Sequence, residues 1–121
     1  MVVCVIDDEK DMALLFKQFF KSQIKVRDIE FNIFEHSDEA FVFLDKRYCE
    51  SEKFIVLLDL NLEREDGLNV LSRIKEKYPS AVVYIMTGSD NQGVCELCDK
   101  KGADGFIAKP FDLETIKKIV N

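Results

Sequence analysis

Three short, uninterrupted apolar runs constrain this chain more than any other feature. Residues 2–6, 54–58 and 81–86 are built mostly of Val, Ile and Leu and carry no charged residue. A strand with one wet face alternates polar and apolar side chains, so unbroken runs suit strands covered on both faces, as in a parallel sheet. Residues 29–34 alternate imperfectly, with Ile29, Phe31 and Ile33 set against Glu30, Asn32 and Phe34, as an edge strand would. Residues 106–108 form a short fifth candidate.

Helical periods fill the gaps. Met12, Leu15, Phe16 and Phe19 recur as one apolar stripe. Ser37 is expected to cap a second helix, with Asp38 and Glu39 in its first turn and Ala40, Phe43 and Leu44 inward. A third runs through Leu68, Leu71 and Ile74 to Tyr78, where Pro79 ends it. Val94, Leu97 and Cys98 mark the inward stripe of a fourth, with Gly102 as its C-terminal cap. Asp112 is placed to cap a fifth, with Leu113, Ile116 and Val120 inward. Alternating strands and helices predict an α/β fold, a doubly wound parallel sheet. The 121 residues suffice for one core and one domain. The fifth helix is short, about two turns, and reads as the end of a piece cut from something longer.

Several functions are disfavoured at once. A formal charge of −6 argues against a nucleic-acid surface, which needs clustered Lys and Arg. The longest apolar runs are too short to cross a bilayer, so no membrane partner is expected. The apolar start lacks the basic flank and cleavage site of a secretory signal. Four cysteines in such a chain read as reduced thiols in the cytoplasm. Cys95 and Cys98 form a C-x-x-C within the fourth helix, where ordinary apolar packing is the expectation.

Ligands of open α/β sheets bind beyond the carboxyl ends of the strands. There the chain places Asp7, Asp8 and Glu9 after the first strand and Asp59, Leu60 and Asn61 after the third. Thr87, Gly88 and Ser89 follow the fourth, and Lys109 and Pro110 follow the fifth. Asp7, Asp8 and Asp59 cannot share a small site ionised without counter-charge, and Lys109 supplies only part of it. A hard divalent cation with oxygen ligands, Mg²⁺ or Mn²⁺, would supply the rest. Phosphate is the natural further ligand, held by the cation, Lys109 and Thr87. A carboxylate can then act as nucleophile and form an aspartyl phosphate, with Asp59 at the end of the central strand best placed.

Asp7-Asp8, Asp59, Thr87 and Lys109-Pro110, carried on five βα units, resemble the receiver domain of two-component response regulators over the whole chain, residues 1–121. The resemblance implies a flavodoxin-like sheet of strand order 2-1-3-4-5 with helices on both faces. It implies that Asp59 accepts a phosphoryl group from a phosphohistidine on a sensor histidine kinase or a histidine phosphotransfer protein. Asp8, Asp59 and the backbone carbonyl of Asn61 would ligate the metal, and Asp7 would act largely through water. Thr87 and Lys109 would hold the phosphoryl oxygens. Thr87 and Phe106 would switch the face of the fourth helix, fifth strand and fifth helix toward a second receiver or an effector domain. A cis peptide is implied between Lys109 and Pro110. No enzyme is implied beyond self-phosphorylation from a donor and slow autodephosphorylation. The rival reading is a Mg²⁺-dependent aspartyl-phosphate phosphohydrolase; the dehalogenase type needs D-x-D after the first strand, where this chain has Asp7-Asp8-Glu9. Taken by itself, Phe106 reads as a core residue. Leu14 and Phe20 lie off the main stripe of the first helix, are expected to be partly exposed, and with Asp11 and Met12 would help dock a helical phosphodonor. The chain also departs from the family, which often has Met-Pro three and four residues after the phosphoacceptor; here these are Leu62 and Glu63.

Overall fold

The computed structural model describes residues 1–27, 29–88, 92–109 and 113–120, without the side chains of residues 22–27, 92 and 113. Five strands alternate with five helices: β1 (Val2–Ile6), α1 (Lys10–Arg27), β2 (Glu30–Phe34), α2 (Ser37–Arg47), β3 (Phe54–Asp59), α3 (Gly67–Lys77), β4 (Val82–Thr87), α4 (Gln92–Lys100), β5 (Gly105–Ala108) and α5 (Leu113–Val120). The strands form one parallel sheet in the order β2-β1-β3-β4-β5. The expected topology is therefore the observed one, with the alternating strand at an edge.

Successive strand residues point to opposite faces, and both faces are covered. Val2, Cys4, Ile6, Val56 and Leu58 pack with Ala40, Phe41 and Leu44 of α2, Val70, Leu71 and Ile74 of α3, and Cys98 of α4. Val3, Val5, Ile55 and Leu57 pack with Phe16, Phe19 and Phe20 of α1 and with Ile116 and Val120 of α5. This double burial is why the central strands tolerate no charged residue before their last position.

Four local expectations need correction. Phe20 is fully buried rather than partly exposed. It stands four residues after Phe16, and its ring stacks on Phe31 of β2 at 4.4 Å between centroids and meets Phe19 edge-on at 4.9 Å. Leu14 is exposed, as expected. Ser37 does not cap α2: it is the first helical residue, and His36 in the cap position makes no side-chain bond to the helix. On α2, Phe41 is buried and Phe43 only half-buried. Leu97 of α4 is 47% exposed, because only the Cys98 and Val94 side of that helix meets the core.

The other helix ends follow their chemistry. Asp66 caps α3 by accepting from the Leu68 amide at 3.0 Å. Gly102 adopts φ 101° after α4, and the Ala103 amide reaches back to the Cys98 carbonyl at 3.0 Å. That left-handed closure suits glycine. At the start of α3, a side chain on Gly67 would overlap the carbonyl oxygen of Leu60, so helix and preceding loop meet without room for a methyl group. Asp112, expected to cap α5, lies outside the described residues.

The packing of α1 gives a direct test. Phe20→Ala should cost about 3–5 kcal/mol, as buried Phe truncations do, whereas Leu14→Ala should stay within about 0.5 kcal/mol of wild type. Urea unfolding of the two variants measures the difference.

Candidate functional site

The register of the parallel strands builds the site. Ile6 of β1 pairs with Leu58 of β3, so Asp7 and Asp59 leave the sheet side by side. Thr87 of β4 pairs with Ala108 of β5, and the Lys109 amide donates to the Thr87 carbonyl at 2.8 Å. Asp7, Asp59 and Thr87 are all buried, at 1%, 1% and 4% exposure.

Both aspartates are held in the same way. Oδ1 of Asp7 accepts the Glu9 amide at 2.9 Å, and Oδ1 of Asp59 accepts the Asn61 amide at 3.0 Å. Each is a turn in which the side chain caps the backbone two residues on. The second oxygens face a common space. Lys109 Nζ lies 3.0 Å from Asp7 Oδ2, 3.4 Å from Glu9 Oε1 and 3.5 Å from Asp59 Oδ2.

These charges alter one another. Burial pushes the Asp7 carboxyl up to about 6, against the opposing pull of the Glu9 amide and Lys109. Burial alone would lower Lys109, but its hydrogen bond to Asp7 and the charges of Asp7, Asp59 and Glu9 together raise it above the ordinary lysine range. Asp59 Oδ2 is buried and has no hydrogen-bond partner among the described residues. Such a group is costly unless something occupies it. Oxygens of Asp7, Glu9 and Asp59 lie within 4.8 Å of one another. An all-oxygen, carboxylate-rich set with one orphaned buried oxygen fits a hard divalent cation.

The sequence matches the response regulator receiver domain family over residues 3–121. The chain belongs to that family. The receiver domain is 31% identical over 112 residues to a chemotaxis protein CheY of Listeria monocytogenes, covering 93% of this chain and 88% of that protein. It is 27% identical over 112 residues to the DNA-binding transcriptional regulator NtrC of Proteus hauseri, covering 93% of this chain but 22% of that longer protein. The crystal structure of the receiver domain of NtrX from Brucella abortus superposes with a TM-score of 0.81 at 27% identity, covering 98% of this chain and 93% of that one. The expected fold and the two-component signalling role are thereby shown.

Within this receiver domain, Asp7 and Asp59 meet Lys109, and Thr87 ends the neighbouring strand β4 with its carbonyl bonded to the Lys109 amide. Asp8 stands apart: its Oδ2 accepts the backbone amide of Glu63 at 2.8 Å, so its carboxylate faces the loop between β3 and α3. Glu9 takes the third place in the carboxylate group instead. Asn61 is the second residue of that loop and is exposed. Phe106 is not a core residue; it is 40% exposed on edge strand β5. Among the described residues, no atom comes within 4 Å of the Cβ position of Gly88. Ser89 and Pro110, with the implied cis peptide, lie outside the described residues.

Sequence reasoning missed Glu65. Both its oxygens bind Ser37, accepting the Ser37 amide at 2.9 Å and the Ser37 hydroxyl. A loop carboxylate thus does the capping that His36 does not. It borders a cavity of about 360 Å³ lined by His36, Ser37, Asp38, Arg64, Glu65 and Arg73. The clue available in the sequence was the acidic loop itself, but its partner lies 28 residues away.

The raised Asp7 carboxyl fixes a pH dependence. Between its ordinary value of 3.8 and about 6 the folded state binds the proton more tightly than the unfolded chain. This group's contribution to stability is therefore full below that window and is lost as pH rises through it. Asp7→Asn, which cannot ionise, should gain about 1–3 kcal/mol over wild type above pH 6 and nothing below pH 4. Chemical unfolding in chelator across that range measures the gain.

Proposed function

We propose that this receiver domain accepts a phosphoryl group on Asp59 from the phosphohistidine of a sensor histidine kinase or histidine phosphotransfer protein. The observation that carries the reading is the orphaned Oδ2 of Asp59, buried at the end of the central strand and 3.5 Å from Lys109 Nζ. In the transfer, that oxygen forms a bond to phosphorus while the phosphorus–nitrogen bond of the donor breaks, and its electron pair returns to the imidazole.

Asp8, Asp59 and the Asn61 carbonyl would hold Mg²⁺ or Mn²⁺, with Asp7 acting through water and Glu9 nearby. Bound there, the cation offsets negative charge on the phosphoryl oxygens. Lys109 would support the same charge from the β5 side, and the Thr87 hydroxyl, at the end of β4, would donate to a phosphoryl oxygen. Burial keeps Asp59 from exchanging freely with water. The chain's own activity is confined to taking up the group and slowly losing it.

The output follows from the opposite edge of the same site. Phosphorylation raises the charge at Asp59 from one to about two. Drawing Thr87 toward the new oxygens would open space beside β4 and β5, into which the exposed Phe106 ring can turn. The face of α4, β5 and α5 would then present a changed surface to a second receiver or an effector domain. A cytoplasmic location fits a phosphohistidine donor, and among the described residues no helix is long and apolar enough to cross a membrane.

Incubation with Mg²⁺ and acetyl phosphate should add one hydroxylamine-sensitive phosphoryl group per chain, and Asp59→Asn should reduce labelling to background. Intact-protein mass spectrometry reads both. Full labelling of Asp59→Asn would remove the assignment, and continuous turnover of a generic phosphate ester would favour the phosphohydrolase instead.

A further inference from the structure

Polar contacts tie the loop between β3 and α3 to the rest of the molecule: its first amide, that of Leu60, donates to the Met86 carbonyl of β4 at 3.1 Å, and two further ties lie toward its middle and end. Glu65 is clasped on Ser37. Two residues earlier, the Glu63 amide donates to Asp8 Oδ2 at 2.8 Å. Just before these two ties Leu62 is buried in the core beside α2 and α3, while the side chains of Glu63 and Arg64 are exposed. The bond to Asp8 uses only the backbone of Glu63. Every residue except proline can make it, and proline is what the family often carries at this position.

Asp8 is the carboxylate that stands outside the group formed by Asp7, Glu9 and Asp59. Its Oδ2 is bonded to the loop amide, a charge-assisted hydrogen bond of the stronger kind. We propose that the Glu63 backbone N–H is a latch that competes with a divalent cation for the Asp8 carboxylate, so that cation binding releases the loop between β3 and α3. The inference rests on the reading of Asp8 as a metal ligand. Glu63 is then a positioning residue, acting through Asp8 and not on the phosphoryl group.

The physical trade is one acceptor between two partners. When Asp8 turns to the other carboxylates, the Glu63 amide is left to water, which an exposed position permits. The loop loses its tie to Asp8 and keeps those to Ser37 and Met86. Metal occupancy would therefore be felt at the start of α2 and in the cavity that Arg64 and Glu65 border, before any phosphoryl group arrives. The alternative is that Asp8 binds metal through Oδ1 while Oδ2 keeps the amide, in which case no latch exists.

The test uses the full chain with Mg²⁺ alone. Glu63→Ala retains the N–H, and Glu63→Pro removes it. Isothermal titration should give Glu63→Ala the wild-type affinity and Glu63→Pro about 3- to 10-fold tighter binding, the scale of one hydrogen bond to a charged group near the surface. In the wild type, hydrogen exchange at the Glu63 amide should accelerate on saturation with Mg²⁺, and this measurement decides even where Glu63→Pro does not fold. An amide equally protected with and without Mg²⁺, or a folded Glu63→Pro with unchanged or weaker affinity, overturns the latch. Asp8→Asn separates the two levels. If it binds Mg²⁺ like wild type, the metal reading of Asp8 has failed and the latch falls with it. If it loses binding while Glu63→Pro matches wild type, the latch alone has failed.

Discussion

Parallel pairing of β1 with β3 is the constraint on which the site depends. Because Ile6 stands opposite Leu58, the first residue past β1 and the last residue of β3 are adjacent carboxylates at one edge of the sheet. A slip of one residue would turn the apolar side chains of either strand to the wrong face. The price of a wrong register is high here, since both faces are buried, and so the aspartates are held in place by the core beneath them. Lys109 reaches them from β5 through the pairing of Thr87 with Ala108.

The folding energy and the chemistry pull in different directions at this edge. Burial of Asp7 disfavours its ionisation, and Asp59 carries an oxygen without a hydrogen bond. Lys109 offsets only part of that, being shared among Asp7, Glu9 and Asp59. An apolar core alone would be served better by other residues. A group kept buried, charged and incompletely partnered is what one expects where a cation and a phosphoryl group are to be received.

What could be read from the sequence divides along the same physical lines. The central strands declared themselves because double burial leaves a continuous apolar signal, and Asp7, Asp59, Thr87 and Lys109 follow from where those runs end. Phe20 was misplaced because the stripe was counted from Met12, while its burial comes from Phe31 on a neighbouring strand. Ser37 looked like a cap because Asp38 and Glu39 follow it, yet its partner Glu65 comes from another element. Both errors concern a contact between separate segments, which local pattern does not encode. The bond from the Glu63 amide to Asp8 is of the same kind, made by a loop 55 residues further along the chain.

Gly67 gives the loop between β3 and α3 a sense of direction. Its missing side chain lets the first turn of α3 rest against the carbonyl of Leu60 with no spare space. The helix is therefore a mechanical stop on one side of the loop, and the buried Leu62 anchors it beneath. The side of the segment not walled by the core is that of Arg64 and the mouth of the cavity it shares with His36 and Arg73, and there a single carboxylate, Glu65, closes the frame by holding Ser37.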